Sequence, residues 1–196
     1  MTDLQPPIVL ASTSPYRRAL LGRLGLAFTA VAPPVDESER PGEAPRQRAL
    51  RLARAKAASI ALQHPDAIVV GSDQVASLEL GGATVLHKPG DRTTCRRQLL
   101  AMSGRIACFD TAVCVRRGAE ESTHVDTTRV HFRELTAADV EHYIDREPAF
   151  DCAGGFRCEG LGVTLFRAIE TRDPTALVGL PLIWLCEALR RMGVVV

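Results

Sequence analysis

The spacing of apolar and polar positions along the chain predicts alternating strands and helices. Residues 8–11 and 67–71 are continuous apolar runs between polar turns, a pattern typical of buried strands. Residues 28–31 form a further short strand. Residues 106–116 and 122–133 alternate well enough to predict a long antiparallel pair around Arg117–Gly118. A hairpin with its turn at Gly81–Gly82 and a last strand over residues 163–169 complete the predicted strands.

Capping residues and prolines mark the helix starts. Ser14 and Pro15 supply an N-cap and a first-turn proline for a helix over residues 15–24. An alanine-rich helix is predicted over residues 45–64, with one apolar stripe. Three further helices are predicted after the caps Asp91 and Thr136 and over residues 180–192. Because hairpins interrupt the alternation of strands and helices, we expect an α/β fold with a mixed twisted β-sheet flanked by helices.

Two loops are distinctive in composition. Residues 32–45 are rich in proline, glutamate and glycine, which predicts a surface loop. Loops of that length are often functional. Residues 152–162 read CAGGFRCEGLG and predict a glycine-rich turn.

Composition narrows the function classes. The chain has 196 residues, of which 46% are hydrophobic and 24% charged, as in ordinary globular proteins. A formal net charge of +1 provides no overall field for nucleic acid or a membrane surface. No apolar run approaches the roughly 18 residues of a membrane span, and the first residues lack the features of a secretory signal. We therefore expect a cytoplasmic protein that binds neither nucleic acid nor membrane.

The six cysteines form no C-x-x-C pair. Their spacing favours neither a disulfide framework nor a zinc site. We expect buried free thiols, as is usual in a reducing cytoplasm.

Polar clusters follow two of the predicted buried strands. Ser12-Thr13-Ser14 comes after the first, and Ser72-Asp73-Gln74 after the second. Ligands of α/β sheets gather at the carboxyl ends of such strands. The first cluster also leads into a helix N-terminus, whose free backbone N–H groups bind anions.

Arg17 and Arg18 stand in the first turn of that helix. Cations are mildly unfavourable there, by about 0.3–1 kcal/mol each, unless an anion lies at the helix end. Their guanidinium forks suit a phosphate group. A capped helix with solvated arginines is the alternative, and this motif alone leaves both interpretations open.

Four further charged residues are candidates for chemistry. Asp73 follows a buried strand, as a general base or metal ligand would, or as a capping residue of a turn would. Lys56 is one helical turn from Leu52 and Ile60, so it borders the apolar stripe and reaches either a cleft or the solvent. Glu37 and Lys88 are candidates too, although each is also compatible with an exposed loop position.

Several of these segments, in this order, resemble the Maf family of nucleoside triphosphate pyrophosphatases. The resemblance covers nearly the whole chain, and several spaced motifs are far more specific than any one of them. The matching segments are LASTSPYRRALL, APPVDES, RLARAKA, GSDQV, HKP, CAGGFRCEG and LVGLPL.

The resemblance implies a single domain over residues 1–196, with two lobes around a central cleft, as in the inosine triphosphatase type of fold. Family members are usually dimers. They hydrolyse nucleoside triphosphates between the α- and β-phosphates and need a divalent cation, here Mg²⁺ or Mn²⁺. Such an enzyme keeps modified nucleotides out of nucleic acid.

Carried over by position, the resemblance makes Asp73 the catalytic proton acceptor and places Glu37 among the polar residues of the cleft. Glu37 and Asp73 are the predicted metal ligands. Tyr16, Gln74 and Glu159 fall where the family sets substrate specificity. The predicted phosphate-binding residues are the serines and cations of the cleft: Ser12, Ser14, Arg17, Arg18, Lys56 and Lys88.

Charge balance agrees with a cation at this site. A triphosphate carries about four negative charges, and Glu37 and Asp73 add two more to set against the four predicted cations. One Mg²⁺ or Mn²⁺ would fill the deficit, and oxygen ligands suit both ions. Whether Asp73 activates water directly or holds the metal stays open at this point.

Within the family, Tyr16 and the Ser-Asp-Gln triplet at 72–74 resemble the branch that hydrolyses 7-methyl-GTP to 7-methyl-GMP and diphosphate. The chain departs from that branch at Tyr16, where tryptophan is commoner. It also has Gly155 for the usual serine and Arg157 for the usual lysine. The alternatives are a dTTP/UTP pyrophosphatase and a nucleotide-binding regulator of cell division (septum formation and its arrest) with little turnover.

Overall fold

A computed structural model describes residues 5–79 and 83–196 of the chain. The predicted turn at Gly81–Gly82 lies outside these residues. The strands in the described ranges are β1 (Ile8–Ala11), β2 (Phe28–Ala30), β3 (Ile68–Glu79), β4 (Ala83–Leu86), β5 (Ile106–Arg117), β6 (Glu120–Phe132) and β7 (Phe166–Glu170). The α-helices are α1 (Pro15–Gly22), α2 (Pro45–Ala61), α3 (Arg92–Met102), α4 (Ala137–Arg146) and α5 (Leu182–Arg191). Within these ranges, no helix has both the length and the apolar character needed to cross a membrane.

The strands form one mixed sheet, so the predicted fold class is confirmed. Its order is β2-β1-β3-β5-β6-β7, and β4 pairs with β3 beside this path. β1 is parallel to both β2 and β3, whereas β4 is antiparallel to β3 and β7 antiparallel to β6. The predicted pair β5 and β6 are neighbours, joined through Gly118 at a φ of 56°.

The predicted end of the strand at residue 71 is wrong. Pairing of β1 with β3 ends at Ala11 and Gly71, but β3 continues to Glu79 because its later residues pair with β4. The Ser72-Asp73-Gln74 cluster therefore lies inside a strand, immediately after its parallel-paired part. The last predicted strand also begins later, at Phe166, because residues 161–165 form a short 3₁₀ helix.

The chain divides into two compact units that share β3, β5 and β6. The first unit contains Met1–Gln74, Thr111–Asp126 and Asp173–Val196, and the second contains Val75–Asp110 and Thr127–Arg172. The expectation of one domain with a central cleft stays a prediction.

Both faces of β1 and β3 are covered in the first unit. Leu10 and Ile68 pack in a buried cluster with Leu20 of α1 and Leu185 of α5. On the other face α2 comes so close that a Cβ on Gly71 would lie 2.4 Å from the carbonyl oxygen of Ala53. This double coverage explains why the strand sequences are continuous apolar runs.

The core of the second unit includes a group of packed phenylalanines. Phe156 makes edge-to-face contacts with Phe109, Phe132 and Phe166 at ring-centroid distances of 5.4, 5.5 and 4.9 Å. Phe156 belongs to the predicted glycine-rich turn, so this aromatic packing anchors the turn in the core.

Candidate active site

The loop between β1 and α1 is ordered by its own serines. Ser14 is the N-cap of α1, and its Oγ accepts a hydrogen bond from the backbone N–H of Arg17 at 3.4 Å. The backbone N–H of Ser14 in turn donates to Ser12 Oγ at 3.1 Å. The predicted cap is confirmed, and it places a buried Ser12 hydroxyl beside a helix N-terminus.

Arg17 is held in place by a backbone carbonyl. Its Nε donates to the carbonyl oxygen of Gly179 at 3.0 Å, and its Nη1 donates to Ser12 Oγ at 3.4 Å. Burial lowers the pKa of Arg17, while the negative charges of Asp73 and Glu37 oppose that shift. The solvated alternative is therefore wrong for Arg17, whereas Arg18 is exposed.

Lys56 connects both predicted acids. Its side chain is only 6% exposed, and its Nζ lies 2.6 Å from Asp73 Oδ1 and 2.7 Å from Glu37 Oε1. Asp73 is nearly as buried, at 10%, while Glu37 is 58% exposed. Because the ammonium group is paired inside the protein, the alternative in which Lys56 extends to the solvent is wrong.

Asp73 and Glu37 supply carboxylate oxygens, the kind of ligand that Mg²⁺ prefers, and Lys56 contacts both of them. Among the described residues, no group of three or more histidine, cysteine, aspartate or glutamate side chains is arranged to hold a metal. Magnesium is commonly bound by one or two carboxylates together with substrate phosphates and water. The carboxylates of Glu37 and Asp73 fit that kind of site.

Gln74 uses its amide group within the protein. Its Nε2 donates to Thr111 Oγ1 at 2.9 Å and to the carbonyl oxygens of Ala176 and Leu177 at 3.1 and 3.0 Å. The amide nitrogen of Gln74 is thus used in hydrogen bonds to β5 and to the segment before α5. A direct hydrogen bond from Gln74 to a base would have to use its carbonyl oxygen.

Residues 173–181 support the site through hydrogen bonds. LVGLPL (residues 177–182) is one of the segments that carry the resemblance, but no site residue was predicted in it. The carbonyl oxygen of Gly179 accepts hydrogen bonds from Arg17 and, at 3.0 Å, from Ser72 Oγ, whose single proton is shared with the carbonyl oxygen of Ala112. The φ of Gly179 is 122°, a conformation that favours glycine. One backbone carbonyl therefore links α1 and β3.

A buried aspartate fixes the shape of this segment. Asp173 Oδ1 accepts from the backbone N–H and hydroxyl of Thr175, and its Oδ2 accepts from Ile183 N in the first turn of α5 at 2.7 Å. The D-x-T spacing before a helix is a signal for such a turn, and it was available in the sequence.

Tyr16, Lys88 and Glu159 are the predicted site residues whose roles depend on the family resemblance alone. Tyr16 is partly buried in α1, and Lys88 and Glu159 are exposed residues of the second unit. The turn that carries Glu159 is anchored at the end of α4. Tyr143 OH accepts from Arg157 N at 3.1 Å, and Oε2 of Glu147, the residue after α4, accepts from Gly162 N at 3.2 Å. The roles of these three residues stay predictions.

A family model described as Maf-like protein matches residues 7–192. The chain belongs to the Maf family.

Its Maf relatives include curated proteins of similar length. It is 55% identical over 189 residues to a "7-methyl-GTP pyrophosphatase" of Xanthomonas axonopodis pv. citri, covering 96% of this chain and 97% of the relative. It is 48% identical over 196 residues to a protein of the same name from Alcanivorax borkumensis, covering 99% and 98%. Among solved structures, a "Nucleoside-triphosphatase / dITP/XTP pyrophosphatase" from Mycobacterium abscessus aligns with a TM-score of 0.44 and 19% identity, over 95% of this chain and 97% of the other.

Proposed function

We propose that this Maf family protein hydrolyses 7-methyl-GTP to 7-methyl-GMP and diphosphate. The observation that carries the proposal is the buried Lys56 ammonium, which contacts both Asp73 and Glu37 beside a helix start with a fixed arginine. The names of its relatives, at about half identity over nearly the full chain, support the choice of substrate. We further infer a cytoplasmic location and a homodimer, which the family resemblance implies.

Asp73 is the proposed proton acceptor. The oxygen of a water molecule adds to a phosphorus atom, and the water transfers a proton to the Asp73 carboxylate. The bond between that phosphorus and the oxygen that bridges the α- and β-phosphates breaks. The electron pair of that bond stays with the bridging oxygen. General-base catalysis of this kind contributes about 10²- to 10⁴-fold to the rate.

The phosphates are bound by the cations and by the helix start. Arg17 supplies a guanidinium group whose orientation is set by Gly179, and Ser12 and the N-terminus of α1 supply hydroxyl and N–H donors. Lys56, Arg18 and Lys88 add positive charge. A Mg²⁺ or Mn²⁺ ion held by Glu37 and Asp73 would supply further charge neutralisation to the phosphates.

Base selectivity is assigned to Tyr16 and Glu159. A methylated guanine is cationic, and cation–π attraction to the Tyr16 ring adds about 0.5–2 kcal/mol. At about 1.4 kcal/mol for each tenfold change, this accounts for at most about 30-fold discrimination. The Glu159 carboxylate supplies the rest by attracting the cationic ring. Gln74 contributes mainly by holding residues 176–177.

Diphosphate release from a panel of 7-methyl-GTP, GTP, dTTP and UTP tests the proposal. We expect fastest release from 7-methyl-GTP, and a loss of about 10²- to 10⁴-fold in Asp73→Asn. Asp66→Asn, an exposed aspartate just before β3, is the matched control and retains activity.

Each outcome of this assay tests a separate part of the proposal. Preference for dTTP or UTP would overturn the substrate assignment, and full activity of Asp73→Asn would overturn its catalytic role. Nucleotide binding without diphosphate release in the wild-type protein would favour a regulator instead of an enzyme.

A further inference from the structure

Glu37 lies on a long loop, and its side chain is more than half exposed. An exposed carboxylate on such a loop loses conformational freedom when it is held at one position. Its contact with Lys56 therefore requires support for the backbone around it. The structure supplies that support from α2, the helix that also carries Lys56.

Arg51 of α2 binds the loop at two residues, Glu43 and Ser38. Its Nε and Nη2 donate to the two carboxylate oxygens of Glu43 at 2.6 and 2.7 Å, which is a bidentate ion pair. The same Nη2 donates to the carbonyl oxygen of Ser38 at 3.1 Å. Arg51 and Glu43 are mostly buried, at 19% and 11% exposure, so solvent weakens this pair less than an open surface pair.

Arg48, one turn earlier on α2, binds the same loop at Glu37 itself. Its Nη2 donates to the carbonyl oxygen of Glu37 at 3.2 Å, and its Nη1 is paired with the Glu39 carboxylate. The two arginines thus hold consecutive backbone carbonyls, those of Glu37 and Ser38, by rigid planar groups.

We propose that Arg51 and Arg48 are positioning residues that keep Glu37 in reach of Lys56 and of the substrate's cation. The inference rests on the proposed function for its effect on turnover. Both arginines act on Glu37 through the loop, because they bind the backbone carbonyls of Glu37 and Ser38. Arg51 also interacts electrostatically with Asp73, so the exchange measurement, which reports on the loop alone, comes first.

Hydrogen–deuterium exchange of residues 36–44 in the free protein is the first test. We expect Arg51→Ala to speed exchange of this segment by about tenfold or more, because the segment then opens locally. Arg54→Ala is the matched control, since Arg54 is on the same helix but pairs with Glu121 of β6 at 2.8 Å. That control leaves the exchange of residues 36–44 unchanged.

A double-mutant cycle with Glu37→Gln is the second test. Misplacement of a working group by about 1 Å lowers turnover by up to about 100-fold, so we expect Arg51→Ala and Glu37→Gln each to lower kcat by about 10- to 100-fold. The kcat of the double variant is no lower than that of the less active single variant, because both changes remove the same contribution. Arg51→Lys, which keeps the charge but not the fork, recovers part of the rate.

Thermal unfolding shows whether Arg51→Ala is folded, and Arg48→Ala repeats both tests if it is not. Unchanged exchange of residues 36–44, or losses in kcat that multiply in the double variant, would overturn the inference. If the wild-type protein releases no diphosphate, the proposed function fails, and the exchange measurement alone then decides whether the arginines hold the loop.

Discussion

At the scale of single residues, the central feature is a buried lysine that pairs with one buried and one exposed acid. The position of Lys56 beside an apolar stripe was visible in the sequence, because helical spacing alone relates it to Leu52 and Ile60. Asp73 and Glu37 were candidate site residues in the sequence, but their contacts with Lys56 were not predicted. The contacts of Arg48 and Arg51 were not predictable, because they depend on the path of an irregular loop that follows no periodicity.

Removing the Lys56 charge tests the strength of this pair. We expect Lys56→Met to lower the free energy of unfolding by about 3 kcal/mol, because it leaves the Asp73 carboxylate buried without its partner. Urea denaturation measures the change. Lys88→Met removes an exposed lysine and is expected to stay within about 0.5 kcal/mol. Equal stability of the two variants would contradict the expectation.

At the scale of elements, the contact between α2 and β3 sets the distance between Lys56 and Asp73. Gly71 makes this contact possible, because a Cβ there would lie 2.4 Å from Ala53 O and 2.6 Å from Ala57 N. Both are backbone atoms, so the helix as a whole would have to move. The sequence predicted both elements but ended the strand too early. The polar residues after Gly71 suggest a loop, whereas the strand continues through them to residues 76–79, which pair with β4.

Gly71→Ala is expected to destabilise the protein by about 1–3 kcal/mol, as overpacking of a tight interior does. It should also lower diphosphate release, because Lys56 moves with the helix. Gly22→Ala is the control: a Cβ on Gly22 meets nothing within 4 Å, and alanine is the better helix former. Urea denaturation of both variants checks the stabilities, and a neutral Gly71→Ala would show that α2 adjusts freely.

The start of α4 gives a pH-dependent prediction. Hydrogen bonds from Arg133 and Thr136 lower the pKa of Asp139 well below its ordinary value of 3.8. A carboxyl with a lowered pKa stabilises the folded state above its unfolded pKa, and this contribution is lost as the pH falls toward the folded pKa.

We therefore expect Asp139→Asn to lower the Tm by a few degrees at pH 7 and by progressively less below about pH 4. Thermal unfolding of wild type and variant across this range measures the difference. A difference in Tm that stayed constant down to pH 3 would contradict the assignment.

At the scale of the whole molecule, the order of strands and helices was predictable and the division into two units was not. Local periodicity determines each element, as in β1 and α4, whereas the units are defined by contacts between distant parts such as residues 111–126 and 173–196. The segment before α5 illustrates the limit. Its role comes from hydrogen bonds to Arg17, Ser72 and Gln74, which are about a hundred residues or more away in the chain.

The cysteines provide a prediction for the molecule as a whole. All six are free thiols, and Cys95 and Cys114 are buried, whereas the expectation of burial is wrong for the other four, which are partly exposed. Burial raises the pKa of Cys95 to about 11 and those of Cys114 and Cys158 to about 12. Because the thiolate is the reactive form, we expect these three to react about 100-fold more slowly with a disulfide reagent at pH 8 in the folded protein than in urea. Mass spectrometry of labelled peptides identifies the reacting thiols, and rapid labelling of these three without urea would contradict the prediction.

The carbonyl oxygen of Gly179 has a consequence for how this protein is studied by mutation. It orients Arg17 and binds Ser72, yet it belongs to the main chain, so replacing side chains one by one leaves it in place. An alanine scan would therefore register Gly179 only through its backbone angle and would assign the whole effect of the contact to Arg17. Replacing the Gly179–Leu180 amide by an ester, which weakens the carbonyl as an acceptor, is the change that would reveal this hidden contribution.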